Sequence, residues 1–449
     1  MRINLLVSCA LLLCATCWGQ GEYNIWTFGY GAGLDFNTDP PTPFTSELSS
    51  IESCGAICDA QGQLLFYTNG GASIGEVYYG GVWNANHDLM PNGSLNSSVL
   101  CQSSFFGPMI IPDPGNPDEY YIFHMDCSEH TYEGGLRYHK VDMTLEGGLG
   151  DVTEKDVFVH GPVNEGIVCI QHPNALDYWL LAKEYNSTNM VSILVTADGP
   201  QTPVVNTVAT NEPPITISNQ QGTQILLQAI GSAHIYDFND ETGVLSLANT
   251  FQTNRVFKCY SPNGQFAYSL GFDGVTFDTT VIQADLSDPD NVTEVQVGSF
   301  DGSGFPIQIG PDGKIYIAHS NTNILSVIQN PDALGLACVF TADGVDLGPE
   351  LCSWGFPVFP ILADPPTSIS SLSEPGNVVV YPNPAKDILN VQSDFELEHV
   401  RITDSNGRVV LEQRGGNKSI NLGGFSAGVY SIALTGSSSQ VVRSFVKLE

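Results

Sequence analysis

The chain has 449 residues, 42% of them hydrophobic, with 46 Gly and 27 Pro, which is room for two or three domains rich in turns. Lys and Arg number 15 against 48 Asp and Glu, a formal charge of −33. Such a field repels nucleic acid and anionic membranes and favours cations, so a DNA- or RNA-binding role is excluded.

The opening stretch, "MRINLLVSCALLLCATCWGQ", has one Arg, an apolar run and small residues, the pattern of a secretory signal peptide over residues 1–19. The run is too short to span a bilayer comfortably, and no transmembrane span is expected in the mature chain. A lipoprotein signal is the alternative, since Cys14 and Cys17 end the run, but neither follows the usual pair of small residues. Removal of the leader leaves Cys54, Cys58, Cys101, Cys127, Cys169, Cys259, Cys338 and Cys352. An even set in an exported chain suggests disulfides. Cys338 and Cys352, close in sequence and bracketing a loop, are the expected pair. No CxxC pair argues for a metal site.

From residue 20 to 362 one unit recurs: a β-rich run, a turn of Gly, Pro, Asp or Asn, then an aromatic-rich strand. It occurs as "AICDAQGQLLFYTNG", "MIIPDPGNPDEYYIFHM", "VCIQHPNALDYWLLA", "SAHIYDFNDETGVLSL", "CYSPNGQFAYSL" and "QIGPDGKIYIAH". Asn263-Gly264 and Asp312-Gly313 supply the positive φ of tight hairpins. Period-2 alternation dominates and no long helical stripe occurs. Four-strand units at this spacing predict an all-β fold, a β-propeller of about seven blades, with a pair of β-sandwiches as the alternative.

"WTFGYGAGLDF", "DAQGQLLFYTNG", "VWNANHDLMPNG" and "GLRYHKVDMTLEGGLGDV" together resemble a family of secreted propeller-like domains found in Bacteroidota, often ahead of adhesive or sorting modules. The resemblance runs to "SWGFPVFP" and implies a fold and a compartment, but no reaction. Residues 363–377, "ADPPTSISSLSEPGN", read as a linker.

Residues 378–449 carry seven basic and seven acidic side chains, so the negative charge lies upstream. "VVVYPNPAKDILNV" bends at two prolines that cannot donate to a ladder, then resumes as a strand. "HVRITDSNGRVVLEQ" is a hairpin around Asn406-Gly407, and "GVYSIALTG" alternates again, which suits a small Ig-like sandwich. Tyr381, Pro382, Asn383, Pro384 and Ala385, then Asp404 to Gly407, Gly428-Val429-Tyr430 and the terminal Val446-Lys447 closely resemble the type A sorting domain of the type IX secretion system. That resemblance implies export in two steps, with the tail read by the secretion machinery at the outer membrane, and a cell-surface or extracellular destination.

No catalytic motif occurs: there is no GxSxG elbow, HExxH or Walker loop. His124, His130 and His139 are the densest histidine group, read as solvated loop or strand residues rather than ligands. "DFNDETG" (237–243) offers hard oxygens for Ca2+ but lacks EF-hand spacing, so a polar hairpin turn is the better account. Tyr78, Tyr79, Trp83, Tyr120, Tyr121, Tyr178 and Trp179 are read as packing between blades. The expectation is therefore an exported binding or scaffold protein with no cofactor, recognising a glycan or protein. The alternatives are a polysaccharide-acting enzyme with carboxylates at the propeller mouth, and a structural envelope or adhesion part.

Overall fold

A computed structural model describes residues 21–71, 80–95, 103–104, 106–211, 215–272, 275, 278–362, 379–393, 399–403, 409–414, 418–435 and 440–448. The expected signal peptide and linker lie outside these residues. The chain divides into two compact units, 1–363 and 364–449.

The first unit is all-β, and among the described residues it holds seven antiparallel sheets of consecutive strands. Their first strands are Ile25–Phe28, Gly55–Cys58, Met109–Asp113, Val163–Gln171, Thr216–Ser218, Phe257–Tyr260 and Gly304–Ile309. In four of the sheets the turn after the first strand combines a side-chain acceptor with a positive-φ glycine. A side-chain oxygen of Asp59, Asn219, Asn263 or Asp312 accepts backbone N–H bonds across it. A glycine (Gly62, Gly222, Gly264 or Gly313) then takes φ between +67° and +79°. The repeat read from sequence is thus a repeat of place as well as of pattern.

Burial falls from the inner strands to the outer ones. Gly55–Cys58 and Ile315–His319 are buried throughout, whereas Val244–Gln252 and Thr293–Asp301 are mostly exposed. Inner strands are covered on both faces by neighbouring sheets, so they read as continuous apolar runs such as "YWLL" rather than alternating ones. One core joins Tyr178, Leu180 and Val191 of the fourth sheet to Phe123 and Leu136 of the third. Another joins Trp26 and Phe28 of the first sheet to Tyr316, Ala318 and Leu325 of the seventh, so the last sheet packs back on the first.

A closing segment, 351–362, crosses several of the first strands. Tyr30 N–H donates to Leu351 O (2.9 Å), Val358 bridges to Met109, and Ile361 N–H donates to Cys169 O (2.8 Å). Its Phe356, Phe359, Val358, Ile361 and Leu362 side chains enter four separate cores. This apolar strap fills the interior where the first strands converge, and it forms the floor of the site described below.

In the second unit, Val379–Tyr381, Ile388–Gln392 and Ser419–Asn421 form one sheet, and His399–Thr403, Val409–Arg414, Gly428–Thr435 and Gln440–Lys447 form another. Leu389, Val400, Ile402, Ile420, Ile432, Leu434 and Phe445 make a common core.

The expected Cys338–Cys352 disulfide does not form. Both are free, buried thiols in different cores, Cys338 with Tyr268 and Cys352 with Trp26. Sequence proximity misled because the strand Phe340–Asp346 runs between them and carries its two ends apart. Cys54, Cys58, Cys169 and Cys259 are also free and buried, and burial pushes the Cys58 and Cys259 thiols up to about 12. Cys127 is disulfide-bonded.

Candidate functional site

A pocket opens where the strap meets the first strands of the sixth and seventh sheets. Glu52, Phe106, Lys258, Phe305, Trp354 and Gly355 are among its lining residues. Irregular backbone delivers two lining side chains, Lys258 and Phe305, and places Glu165 where its charge acts on Glu52. Phe257 pairs with Ser269 and Cys259 with Tyr268, so Lys258 is the extra residue of a β-bulge. Phe305 lies in a register jump between Gly304 and Ile307, and Glu165 in one between Val163 and Ile167. Bulges re-aim side chains out of the alternation of a strand, which is how inner-strand residues reach an open pocket.

Lys258 is held tightly. Its Nζ donates to Phe305 O (3.1 Å) and sits 3.4 Å from the centre of the Phe305 ring. The ring in turn lies against Trp354, centroids 5.8 Å apart at 36°, and Trp354 is 44% exposed. The strap is clasped to residues 51–52 by Trp354 N–H to Ile51 O (2.8 Å) and Ser353 Oγ to Ile51 O (2.6 Å). A methyl group on Gly355 would stand 1.5 Å from Glu52 O, so only glycine lets these backbones approach.

The carboxylates form a graded group. Glu52 is 7% exposed, and burial pushes its pKa up to about 7. The charges of Glu165 and Glu129 push the same way, while the Ser103 hydroxyl and Lys258 oppose. Ser103 Oγ lies 2.9 Å from Glu52 Oε2 and 3.1 Å from Glu129 Oε1. One hydroxyl hydrogen cannot serve both oxygens. With Glu52 protonated, its O–H donates to Ser103 and Ser103 donates to Glu129, and every contact is satisfied. Burial lowers Lys258 to about 8 against the attraction of Glu52. Glu165 Oε1 accepts from Ser128 N–H (2.7 Å), and at its side Tyr132 and Tyr185 pack with centroids 4.5 Å apart. The result is a proton-sharing acid beside a desolvated amine, bordered by exposed aromatic rings.

None of these residues was singled out from sequence as a site. The aromatics that were weighed lie elsewhere: Trp83 stacks on Tyr67, Tyr120 meets Phe66 edge-on, and Tyr121, Tyr178 and Trp179 are buried, while Tyr78 and Tyr79 lie outside the described residues. The "DFNDETG" stretch is a hairpin turn capped by Asn239, whose Oδ1 accepts from Thr242 N–H (2.9 Å), and Trp179 Nε1 donates to Asp240 O (2.6 Å). His130 belongs to the short helical turn Ser128–His130, whereas His124 and His139 are buried together on adjacent strands, not solvated. The reading of them as solvated residues is corrected: cross-strand pairing made them neighbours.

In the second unit, the proline bend and the chain end, distant in sequence, meet. Asn383 Oδ1 accepts from Val446 N–H (2.9 Å), Ala385 N–H donates to Val446 O (2.7 Å), and Leu448 N–H donates to Ala385 O (2.8 Å). Tyr381, Pro382, Asn383 and Pro384 are exposed, Lys447 is buried beside them, and Tyr430 Oη donates to Ser426 O (2.9 Å) beneath Gly428. Gly407 lies outside the described residues. Residues 379–448 match the family described as secretion system C-terminal sorting domain. The chain carries a type IX sorting domain. That domain engages the type IX machinery, and the protein is secreted across the outer membrane to the cell surface or the medium. Among the described residues no helix is long and apolar enough to cross a membrane.

No curated protein matches the chain. Among solved structures, a Bacteroides uniformis protein provisionally assigned as a 6-phosphogluconolactonase is 14% identical, with 74% of this chain and 99% of that one covered and a TM-score of 0.46. A functionally unknown protein from Desulfotomaculum acetoxidans is 12% identical, with 66% and 85% covered and a TM-score of 0.41. PorZ of Porphyromonas gingivalis, a surface component of the type IX secretion system, is 10% identical, with 95% and 74% covered and a TM-score of 0.31. Likenesses this distant carry no argument about what the protein does.

Proposed function

We propose that residues 20–362 form a seven-bladed β-propeller, that 378–449 form a small Ig-like sandwich, and that the propeller is the recognition module of an exported surface protein. Support for the propeller comes from the seven consecutive sheets, the repeated turn after the first strand, and the packing of the seventh sheet on the first. The ligand class is a glycan. The observation that carries this reading is the half-exposed Trp354 lying tilted against Phe305, with Glu52 and Lys258 in the same pocket. Flat apolar rings cover a sugar face while carboxylates and an amine bind its hydroxyls.

A second reading is favoured by one feature, the Glu52 carboxyl with a pKa near 7 beside a desolvated amine, which is the tuning a general acid–base needs. One experiment separates the two. The purified full-length protein is screened on a glycan array with and without Ca2+, and each hit is re-assayed for turnover and for loss of binding in Trp354→Ala. Binding without turnover, lost in the variant, supports recognition. Cleavage of a hit establishes the enzyme. Silence across the array, or hits indifferent to Trp354→Ala, overturns the glycan site and leaves a protein-binding or structural envelope role.

A further inference from the structure

The third sheet holds a second polar cluster, apart from the pocket. His124 on Asn116–Met125 pairs with Arg137, so His139, two residues on, is its diagonal neighbour on the same face. The two imidazoles lie with centroids 4.1 Å apart, 3% and 0% exposed. Among the described residues, neither nitrogen of His124 nor Nε2 of His139 has a hydrogen-bond partner. Leaving buried polar atoms unpaired costs about 1–3 kcal/mol each, so a native fold that keeps them needs a reason.

The next strand, Asp151–His160, supplies a third group. Its register with the His139 strand jumps between Tyr138 and Lys140, and Asp156, in that jump, takes φ +53°. A non-glycine residue in this region is strained, and such strain gathers where a side chain has been aimed on purpose. Arg137 braces the bulge: its Nη1 donates to Asp156 O and its Nε to Gly134 O, both 2.8 Å, which spends the guanidinium on backbone oxygens. One ligand atom from each of His124, His139 and Asp156 can be chosen so that all lie within 4.8 Å of one another.

We propose that His124, His139 and Asp156 bind one transition-metal dication of the zinc class. Two imidazoles and a carboxylate are the donor set such ions take, and hard Ca2+ or Mg2+ would not choose the imidazoles. A tetrahedral ion with bonds of about 2.0–2.1 Å holds its ligand atoms roughly 3.3 Å apart, so the cluster closes by at most about 1.5 Å. Asp156 N–H donates to Nδ1 of His139 (3.1 Å), which marks Nδ1 as the unprotonated nitrogen and the one an ion takes by displacing that hydrogen bond. The ion ties three successive strands of one sheet and gives one unpartnered nitrogen of His124 a partner. Nothing in this site depends on the glycan pocket.

The test uses tag-free full-length protein stripped with a chelator, dialysed against Zn2+ or Co2+ and analysed for metal content, with the Co2+ absorption spectrum as a probe of coordination. One equivalent retained, a spectrum showing nitrogen and oxygen ligands, loss of both in His139→Ala, and at least tenfold weaker binding in Asp156→Asn are expected. Asp156→Asn keeps the shape of the bulge, so its circular dichroism separates lost ligation from lost folding. A wild-type protein that retains no metal overturns the proposal. Metal retained equally by wild type and both variants overturns it too, because the ion then sits elsewhere.

Discussion

Replacing Glu52 by Gln should change how the first unit's stability depends on pH. In the folded protein the Glu52 carboxyl is raised from 4.5 to about 7. A carboxyl raised on folding favours the folded state fully only below about pH 4.5, and that contribution is lost as pH climbs through 7. At 1.36 kcal/mol per pH unit the displacement is worth about 3 kcal/mol, and water entering through the pocket mouth trims it to roughly 2–3 kcal/mol. The substituted amide keeps the shape and a donor for Ser103 but does not titrate. The assay is urea unfolding at intervals from about pH 5 to 8.5, followed by tryptophan fluorescence. All five Trp residues precede residue 363, so the signal reports the first unit alone. Wild type should lose roughly 2–3 kcal/mol across this range relative to Glu52→Gln, with the other carboxylates cancelling between the two proteins. Parallel stability curves would show that Glu52 is an ordinary solvated carboxylate and sink the account of the pocket.

Gly355→Ala should be far more costly than its one methyl suggests, because the new carbon meets Glu52 backbone that cannot rotate away. A loss of at least about 1–3 kcal/mol in urea unfolding is expected, with a shift in Trp354 emission, and an unchanged midpoint would contradict the clasp. Alkylation of the unfolded, non-reduced protein should label both Cys338 and Cys352, and a peptide map showing them joined would contradict their separate burial. In the tail, deletion of residues 378–449 should leave a folded first unit in the periplasm, and normal surface levels of that form would remove the sorting role. Phe445→Ala, which empties the centre of the tail core, should cost the tail about 3–5 kcal/mol and give the same retention, read by fractionation.

Export and the repeated sheets were legible locally, since Asn263-Gly264, Asp312-Gly313 and the Tyr381–Ala385 bend each act through nearest neighbours. The tail motifs could be matched in order without their contact being visible: Asn383 meets Val446 only once two strands lie side by side. Cys338 and Cys352 fail for the converse reason, because closeness along the chain says little when a whole strand separates two points.

The candidate sites were hidden because their parts are scattered and their neighbours belong to other sheets. Glu52, Ser103, Glu129, Glu165, Lys258, Phe305 and Trp354 come from loops and bulges across most of the first unit. A signal did exist, since a chain with only 15 Lys and Arg sets Lys258 in an apolar run, "VFKCY". His124 and His139 likewise became a pair only through strand register. The sequence alone determined an acidic, exported, all-β chain with a sorting tail, because composition, turn chemistry and terminal motifs act over a few residues. Tertiary structure alone decided which thiols stay free, which carboxyl is pushed up to about 7 and which histidines meet, because burial and long-range pairing set those properties.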